Sequence, residues 1–392
     1  MMISVEEAIA AVLDGAGPLA AERVGLSALV GRILAEDVKA AITQPPFPAS
    51  AMDGYAVRFD EAAKGAVLNV IGEAPAGAPY SGRVKPGEAV RIFTGAVVPE
   101  GADHVVIQED VERDGARITI TAAQEPSHNI RAAGIDFNKG DVLASAGARL
   151  HEIHGSIFAA ANLESVAVNR RPSVAVFSNG DELREPGAAL DAGQIINSNH
   201  YSICTQINSW GGEAAYLGCA SDSEDAIRDF FRRGRDADLI IPIGGASVGD
   251  YDFVKSAFAK EGGTLRFEKV AVRPGKPTWC GRLGGARIVG LPGNPASAIV
   301  TAALFVQPLV RRLAGETWTA PFGKARLTAP IGANGGRESY LRGVVSKGEA
   351  TPAPNQDSSL LLPFASANAL IRRVAHAPAA GAGEEFEFVW LR

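Results

Sequence analysis

The 392-residue sequence predicts a multidomain chain of α/β plus β class. Three features carry that prediction. Between Ser173 and Leu313, near-continuous apolar runs alternate with helical stretches, the pattern of a parallel sheet covered on both faces. Between Gly65 and Ala122 the texture is one of short alternating runs separated by Gly and Pro, which reads as a small β-rich domain. From about Glu316 to Arg392 short β patterns return.

Each element follows from a local signal. Ser4 and Glu7 have capping-box spacing, and Ile9, Val12 and Leu13 mark one face of a short opening helix. The β-rich stretch contains VLNVI, AVRIF, HVVIQ and RITIT, with Asp114-Gly115 as a hairpin signal. A helical pattern covers about His151 to Ala161, and Arg170-Arg171-Pro172 reads as a boundary. Beyond it come the strand SVAVF, a helix near Asn199 to Ser209, the strand EAAYLGC and a helix near Ser223 to Arg233. The strand DLIIPI and a helix near Phe253 to Lys260 follow. After Arg287-Ile288-Val289, the turn GLPGNP opens a helix with Asn294 as cap and Pro295 as first residue.

Composition narrows the function. The 38 basic and 44 acidic residues leave a net charge of -6 with no Lys/Arg-rich run, so the footprint of a nucleic-acid binder is missing. Cys204, Cys219 and Cys280 form no C-x-x-C pair, which argues against a disulfide framework or thiolate zinc site. The acidic N-terminal stretch MMISVEEAIAAV is unlike a secretory leader, and no apolar run is expected to reach bilayer length. A cytoplasmic protein with no membrane partner is expected.

In an open parallel sheet, ligands bind at the carboxyl ends of the strands. Those junctions are rich in chemistry. SVAVF ends in SNGDEL with Asp181 and Glu182; DLIIPI ends in GGASVGDYD with Asp250 and Asp252; RIVG ends in LPGNP. Gly244 and Gly245 let a backbone come close to a ligand, and Ser247 with freed N–H groups suits phosphate oxygens. The LPGNP turn adds a helix start that favours an anion. VRPGKP supplies Arg273 and Lys276, with Lys269 four residues earlier. Carboxylates, cations and backbone cradles together point to a phosphorylated substrate and a hard divalent ion such as Mg²⁺. HEIHG lacks the spacing of a zinc helix, and DGAGPLA follows a helix where a dinucleotide motif would follow a strand, so both are set aside.

SAMDGYAV, RIFTGAVVPEGADHVVIQED, SNGDEL, GGASVGDYD, RPGKP, GLPGNP and GRESYLRG occur in that order across nearly the whole chain. This series resembles the molybdopterin molybdenumtransferases, bacterial molybdenum insertases related to the E domain of gephyrin. The resemblance implies insertion of molybdate into adenylylated molybdopterin with release of AMP, a divalent cation, and a homodimer. The adenylyltransferase that makes the substrate and the apoproteins of molybdoenzymes are implied as further partners. It also implies an elongated arrangement: residues 1–170 as a discontinuous N-terminal region enclosing a β-rich insert at about 45–135, residues 171–318 as the α/β molybdopterin-binding domain, and residues 319–392 as a C-terminal β-barrel.

Carried over by position, the resemblance assigns Asp53, Thr94, Asp136, Glu182 and Asp252 to catalysis, with Glu182, Asp252 and Asp53 as metal ligands. It assigns substrate contacts to Gly244, Gly245, Ser247, Lys269, Arg273, Lys276, Pro292, Pro295, Arg337, and Ser358 or Ser359. Two departures stand out: Ile243 where the pattern commonly has Ser, and Arg273 where it commonly has Lys, which replaces a point charge with a planar fork. Rival readings are a molybdopterin adenylyltransferase or a nucleotide hydrolase with the same α/β domain, a tungstate-specific insertase, and a gephyrin-like scaffold. The long N-terminal region and the barrel argue against the adenylyltransferase, and the strand-end carboxylates against the scaffold.

Overall fold

Alternation of side chains between two faces explains the central sheet. The computed structural model describes residues 2–126, 129–245, 253–317 and 322–391. Four strands run parallel in the order Glu213–Ala220, Ser173–Asn179, Leu239–Ile243 and Ala286–Gly290. Every residue of Leu239–Ile243 is buried, as both-face coverage requires. Val174, Val176, Leu239, Ile241 and Val289 enter one core with Ile203 and Ile207 of the helix Asn199–Ser209. Ala175, Phe177, Ile240 and Ile288 enter the other, against Ile227 and Phe231 of Glu224–Gly234 and Phe258 of Phe253–Lys260.

Two antiparallel strands, Trp279–Leu283 and Thr264–Phe267, extend the parallel core beyond the sequence-based expectation. Gly284, at φ +57, supplies the left-handed residue of the tight turn between Leu283 and Ala286. The helix Pro295–Leu313 is the longest apolar element among the described residues. Its 19 residues, with mean hydropathy 1.3, have the length and composition of a bilayer span, but 89% of its apolar window is buried inside the protein. It is a core helix, interrupted by a π-helical turn at Ala302–Val306.

The N-terminal capping box forms: Glu7 N–H donates to Ser4 Oγ at 3.1 Å, and Ser4 N–H donates to Glu7 Oε2 at 2.7 Å. The helix it starts, Val5–Leu13, buries Val5, Ala8 and Val12 in the α/β core, and Met2–Ile3 pairs with Lys269–Val270. Beyond it the chain runs out and back. Ala21–Gly25 pairs with Ser165–Asn169, Val38–Lys39 with Val142–Ala144, and Ala49–Ser50 with Ile130–Arg131. These nested pairs enclose a six-stranded sheet built from residues 54–120.

At the C-terminal end, Phe322–Leu327, Glu338–Ser346, Glu349–Pro352, Ala369–Arg373 and Glu385–Trp390 pair in a closed ring. Closure leaves this five-stranded barrel without free sheet edges. It is joined to the α/β domain by backbone: Val272–Arg273 pairs in parallel with Glu338–Ser339, and Glu338 N–H donates to Ala271 O at 2.9 Å.

Candidate active site

The carboxyl ends of the parallel strands surround a cavity of about 520 Å³. Its position follows from how two strands finish. Gly244 N–H donates to Leu291 O at 3.0 Å, which sets the Gly244-Gly245 turn beside the LPGNP turn. Glu182, Gly244, Gly245, Pro277, Pro292, Pro295 and Ser359 all line the cavity. Ser359 comes from the barrel, so two domains contribute.

The two glycines that line the cavity are also packed tightly within the protein. Both have positive φ, +102 at Gly244 and +63 at Gly245, and both lie on Asn179. A Cβ at Gly244 would stand 2.8 Å from Asn179 O, and one at Gly245 would stand 2.7 Å from Asn179 Nδ2. The absent side chains make room for Asn179, which is itself part of the cavity wall, and at Gly245 also for Val254, whose Cγ2 would stand 2.3 Å from a Cβ.

Asn179 leads to residues that the sequence reading missed. Its Nδ2 donates to Asp222 Oδ1 at 3.2 Å, while Asp181 and Asp222 exchange backbone-to-carboxylate bonds of 3.2 and 3.1 Å. On the facing side, Asn197 receives the Ser178 hydroxyl at 3.0 Å and donates to Tyr216 OH at 2.7 Å and Glu185 Oε1 at 3.2 Å. Tyr216 stacks on His200 with centroids 3.7 Å apart; burial pushes the Tyr216 phenol up and holds the His200 imidazole below its ordinary value. Asn199 Nδ2 donates to Gly293 O at 2.7 Å and so ties the PGN turn to the start of its own helix. The available signal was the polar run INSNH at a helix start opposite SNGDEL.

The cationic loop sits at the seam with the barrel. Gly275, at φ +116, admits close packing on Thr301, because a Cβ there would stand 2.2 Å from Thr301 Cγ2. Arg273 and Lys276 are exposed, and Lys269 is half-buried in the strand that pairs with Met2–Ile3. Arg273 borders a second cavity, of about 470 Å³, shared with barrel residues Asn334, Ser339, Gln356 and Arg373. Arg337 donates to Val272 O at 3.3 Å. Ser358 accepts from Asn294 Nδ2 at 3.2 Å and from Ala296 N–H at 3.0 Å, which brings a barrel loop onto the PGNP helix start.

Asp53, Thr94 and Asp136 are placed elsewhere, in the N-terminal region, and none lines the α/β cavity. Thr94 donates to Asp53 Oδ1 from both its N–H and its hydroxyl, each at 2.8 Å. Those bonds, the backbone one first, hold the Asp53 carboxyl below its ordinary value. Asp136 is exposed, with its N–H on Gln44 O. Ser247, Asp250 and Asp252 lie outside the described residues. Among the described residues, no three His, Cys, Asp or Glu side chains converge as a metal cluster.

Fold and site together define a multidomain α/β-plus-β protein whose α/β cavity is bordered on one side by a loop of the C-terminal β-barrel. Residues 3–162 match the family model described as MoeA N-terminal region (domain I and II), 175–312 a probable molybdopterin binding domain, and 324–391 the MoeA C-terminal region (domain IV). The chain is 38% identical to the molybdopterin molybdenumtransferase of Nostoc sp., covering 82% of this chain and 76% of that protein. It is 39% identical to that of Haemophilus influenzae, covering 82% and 80%. A molybdopterin biosynthesis MoeA protein from Pyrococcus horikoshii superimposes over 100% of both chains with TM-score 0.88 at 31% identity. The chain belongs to the molybdopterin molybdenumtransferase family.

Proposed function

We propose that this enzyme inserts molybdate into adenylylated molybdopterin at the α/β cavity and releases AMP. The observation that carries the reading is the meeting of Glu182, the Gly244-Gly245 turn, the PGNP helix start and Ser359 around one cavity. These groups suit a substrate that is anionic at one end and heterocyclic at the other. The dipole of the helix start favours the pyrophosphate, and Arg273 and Lys276 offset the charge that would repel a dianionic oxyanion. Arg337, joined to the strand beside Arg273, fixes that loop on the barrel side. Glu182 suits the other tasks, binding and proton handling, because oxide leaves molybdenum only after protonation.

A divalent cation fits this donor set in a limited way. Mg²⁺ typically takes one or two carboxylates, with substrate phosphates and water completing its shell, and Glu182 is the described carboxylate on the cavity wall. Held there, it would neutralise pyrophosphate charge. Asp53 belongs to this site only if a second copy of the chain supplies it, so the reading includes a homodimer with composite sites.

Reconstitution of an apo-molybdoenzyme tests the proposal, with purified protein, adenylylated molybdopterin and either molybdate or tungstate. Molybdate-dependent AMP release together with recovered molybdoenzyme activity is expected. AMP formation indifferent to molybdate would instead indicate a nucleotide hydrolase, and ATP-dependent adenylylation of molybdopterin would indicate the preceding enzyme.

A further inference from the structure

The barrel loop that reaches the cavity is shaped by one buried side chain. Arg342, in the strand Glu338–Ser346, is 1% exposed, yet it pairs with no carboxylate among the ion pairs of the described residues. All its guanidinium bonds go to residues 355–360. Nε donates to Gln356 Oε1 at 3.1 Å, Nη1 to Asp357 O at 2.9 Å and Leu360 O at 3.3 Å, and Nη2 to Asn355 O at 3.3 Å. Gln356 completes the clamp: its Oε1 also accepts the Arg342 N–H at 3.0 Å, and its Nε2 donates to Arg342 O at 2.9 Å. The Arg342 guanidinium also lies over Phe364, 5.5 Å from the ring centroid.

This loop carries the barrel's contribution to the site. Ser358 receives the Asn294 amide and the Ala296 N–H at the PGNP helix start, and Ser359 lines the cavity. Within the loop, Asp357 Oδ1 accepts the Ser359 N–H at 2.9 Å and the Ser359 hydroxyl at 2.6 Å, so Ser359 is oriented by its neighbour. A planar fork with donors in fixed directions can hold several carbonyls of one turn at once, which an ammonium cannot. Burial holds the guanidinium below its ordinary value, but an arginine stays charged, so every carbonyl bond is charge-assisted.

We infer that Arg342 is a positioning residue for oxyanion binding: it moulds residues 355–360 so that Ser358 and Ser359 meet the PGNP helix start at the cavity. The inference rests on the proposed reading of the cavity as an oxyanion site. It names a residue remote from the substrate that sets affinity through the loop it grips. Its counterpart across the seam is Asn294, whose side chain leaves the usual capping role and donates to Ser358 instead.

The test uses the full-length chain with Arg342→Lys, Gln356→Met, and Ser358→Ala/Ser359→Ala, alone and combined. Titration with inorganic molybdate and hydrogen exchange of the amides at 355–360 are the readouts. Arg342→Lys is expected to weaken molybdate binding by on the order of tenfold and to speed exchange in the loop, while the strand Ala369–Arg373 stays protected. Gln356→Met, which leaves Arg342 in place, should shift both readouts in the same direction by less. Adding Arg342→Lys to the double serine variant should produce little further loss, because both act through one loop. Additive losses, or unchanged affinity with a loosened loop, overturn the inference alone. Wild-type protein that fails to bind molybdate overturns both the inference and the reading beneath it.

Discussion

The α/β cavity and the six-stranded insert hold their carboxylates in opposite ways. At the cavity, Glu182 stands among backbone turns, amides and a barrel loop that converge from distant parts of the chain. In the insert, Asp53 is held by one residue, Thr94, on the neighbouring stretch of the same domain, and is half-buried. The first arrangement encloses a ligand-sized volume within one chain. The second is a pre-set acid outside that cavity, fixed by bonds from a single neighbour. A residue's place in a motif therefore does not reveal whether its own chain completes the site.

The largest expected effect tests the first half of that contrast. Glu182→Ala should lower AMP release by on the order of 10² or more, with the thermal unfolding midpoint little changed, because the side chain is exposed and packs on no core. Turnover within about threefold of wild type in a folded variant would remove Glu182 from the chemistry.

The second half is tested by mixing inactive chains. Asp53→Ala and Glu182→Ala proteins, combined under conditions of subunit exchange, should form mixed dimers in which one of two composite sites keeps both carboxylates. Random exchange makes about half the dimers mixed, so activity should return to about one quarter of wild type. Mixed dimers seen by native mass spectrometry without recovered activity would mean that Asp53 does not complete a partner's cavity.

A smaller effect comes from Gly180, which sharpens how Glu182 is aimed. Gly180 has φ +149, and a Cβ there would stand 2.5 Å from Glu182 Oε2. Gly180→Ala both strains the backbone and pushes the carboxylate aside. Loss of roughly tenfold in turnover is expected, since displacement of a reacting group by about 1 Å is costly. Activity at the wild-type level in Gly180→Ala would show that the carboxylate position is not critical.

The two regions also differed in how far the sequence revealed them. The strands of the parallel core were legible because SVAVF and DLIIPI are apolar at consecutive positions, and the Asn294-Pro295 helix start because its cap and first residue are distinctive. The hairpin containing Trp279–Leu283 was not, since Gly281 and Arg282 break any clear period within five residues. Nor did the opening helix announce that its apolar face would join a core whose other members begin at Val174. Asn179, Asn197 and Asn199 were passed over because amides at strand and helix ends ordinarily read as caps. Only tertiary pairing, Asn179 with Asp222 and Asn199 with Gly293, distinguishes them.

The smallest effect concerns the ionisation of Asp53. Its ordinary value is 3.8, and the Thr94 backbone N–H, then the Thr94 hydroxyl, lower it in the folded chain. The sign follows from linkage: a carboxyl with a lowered folded pKa adds stability above 3.8 and loses it as pH falls through the lower folded value. Asp53 is therefore ionised at neutral pH with or without Thr94, and Thr94 matters there for aim more than for charge. Thr94→Ala removes the hydroxyl but keeps the backbone donor, so the Asp53 titration followed by carboxyl NMR should move only part of the way back towards 3.8. Activity at neutral pH should fall less than in Asp53→Ala. A full return to 3.8 would make the hydroxyl the dominant restraint, and equal activity losses in the two variants would mean that Asp53 works only as Thr94 holds it.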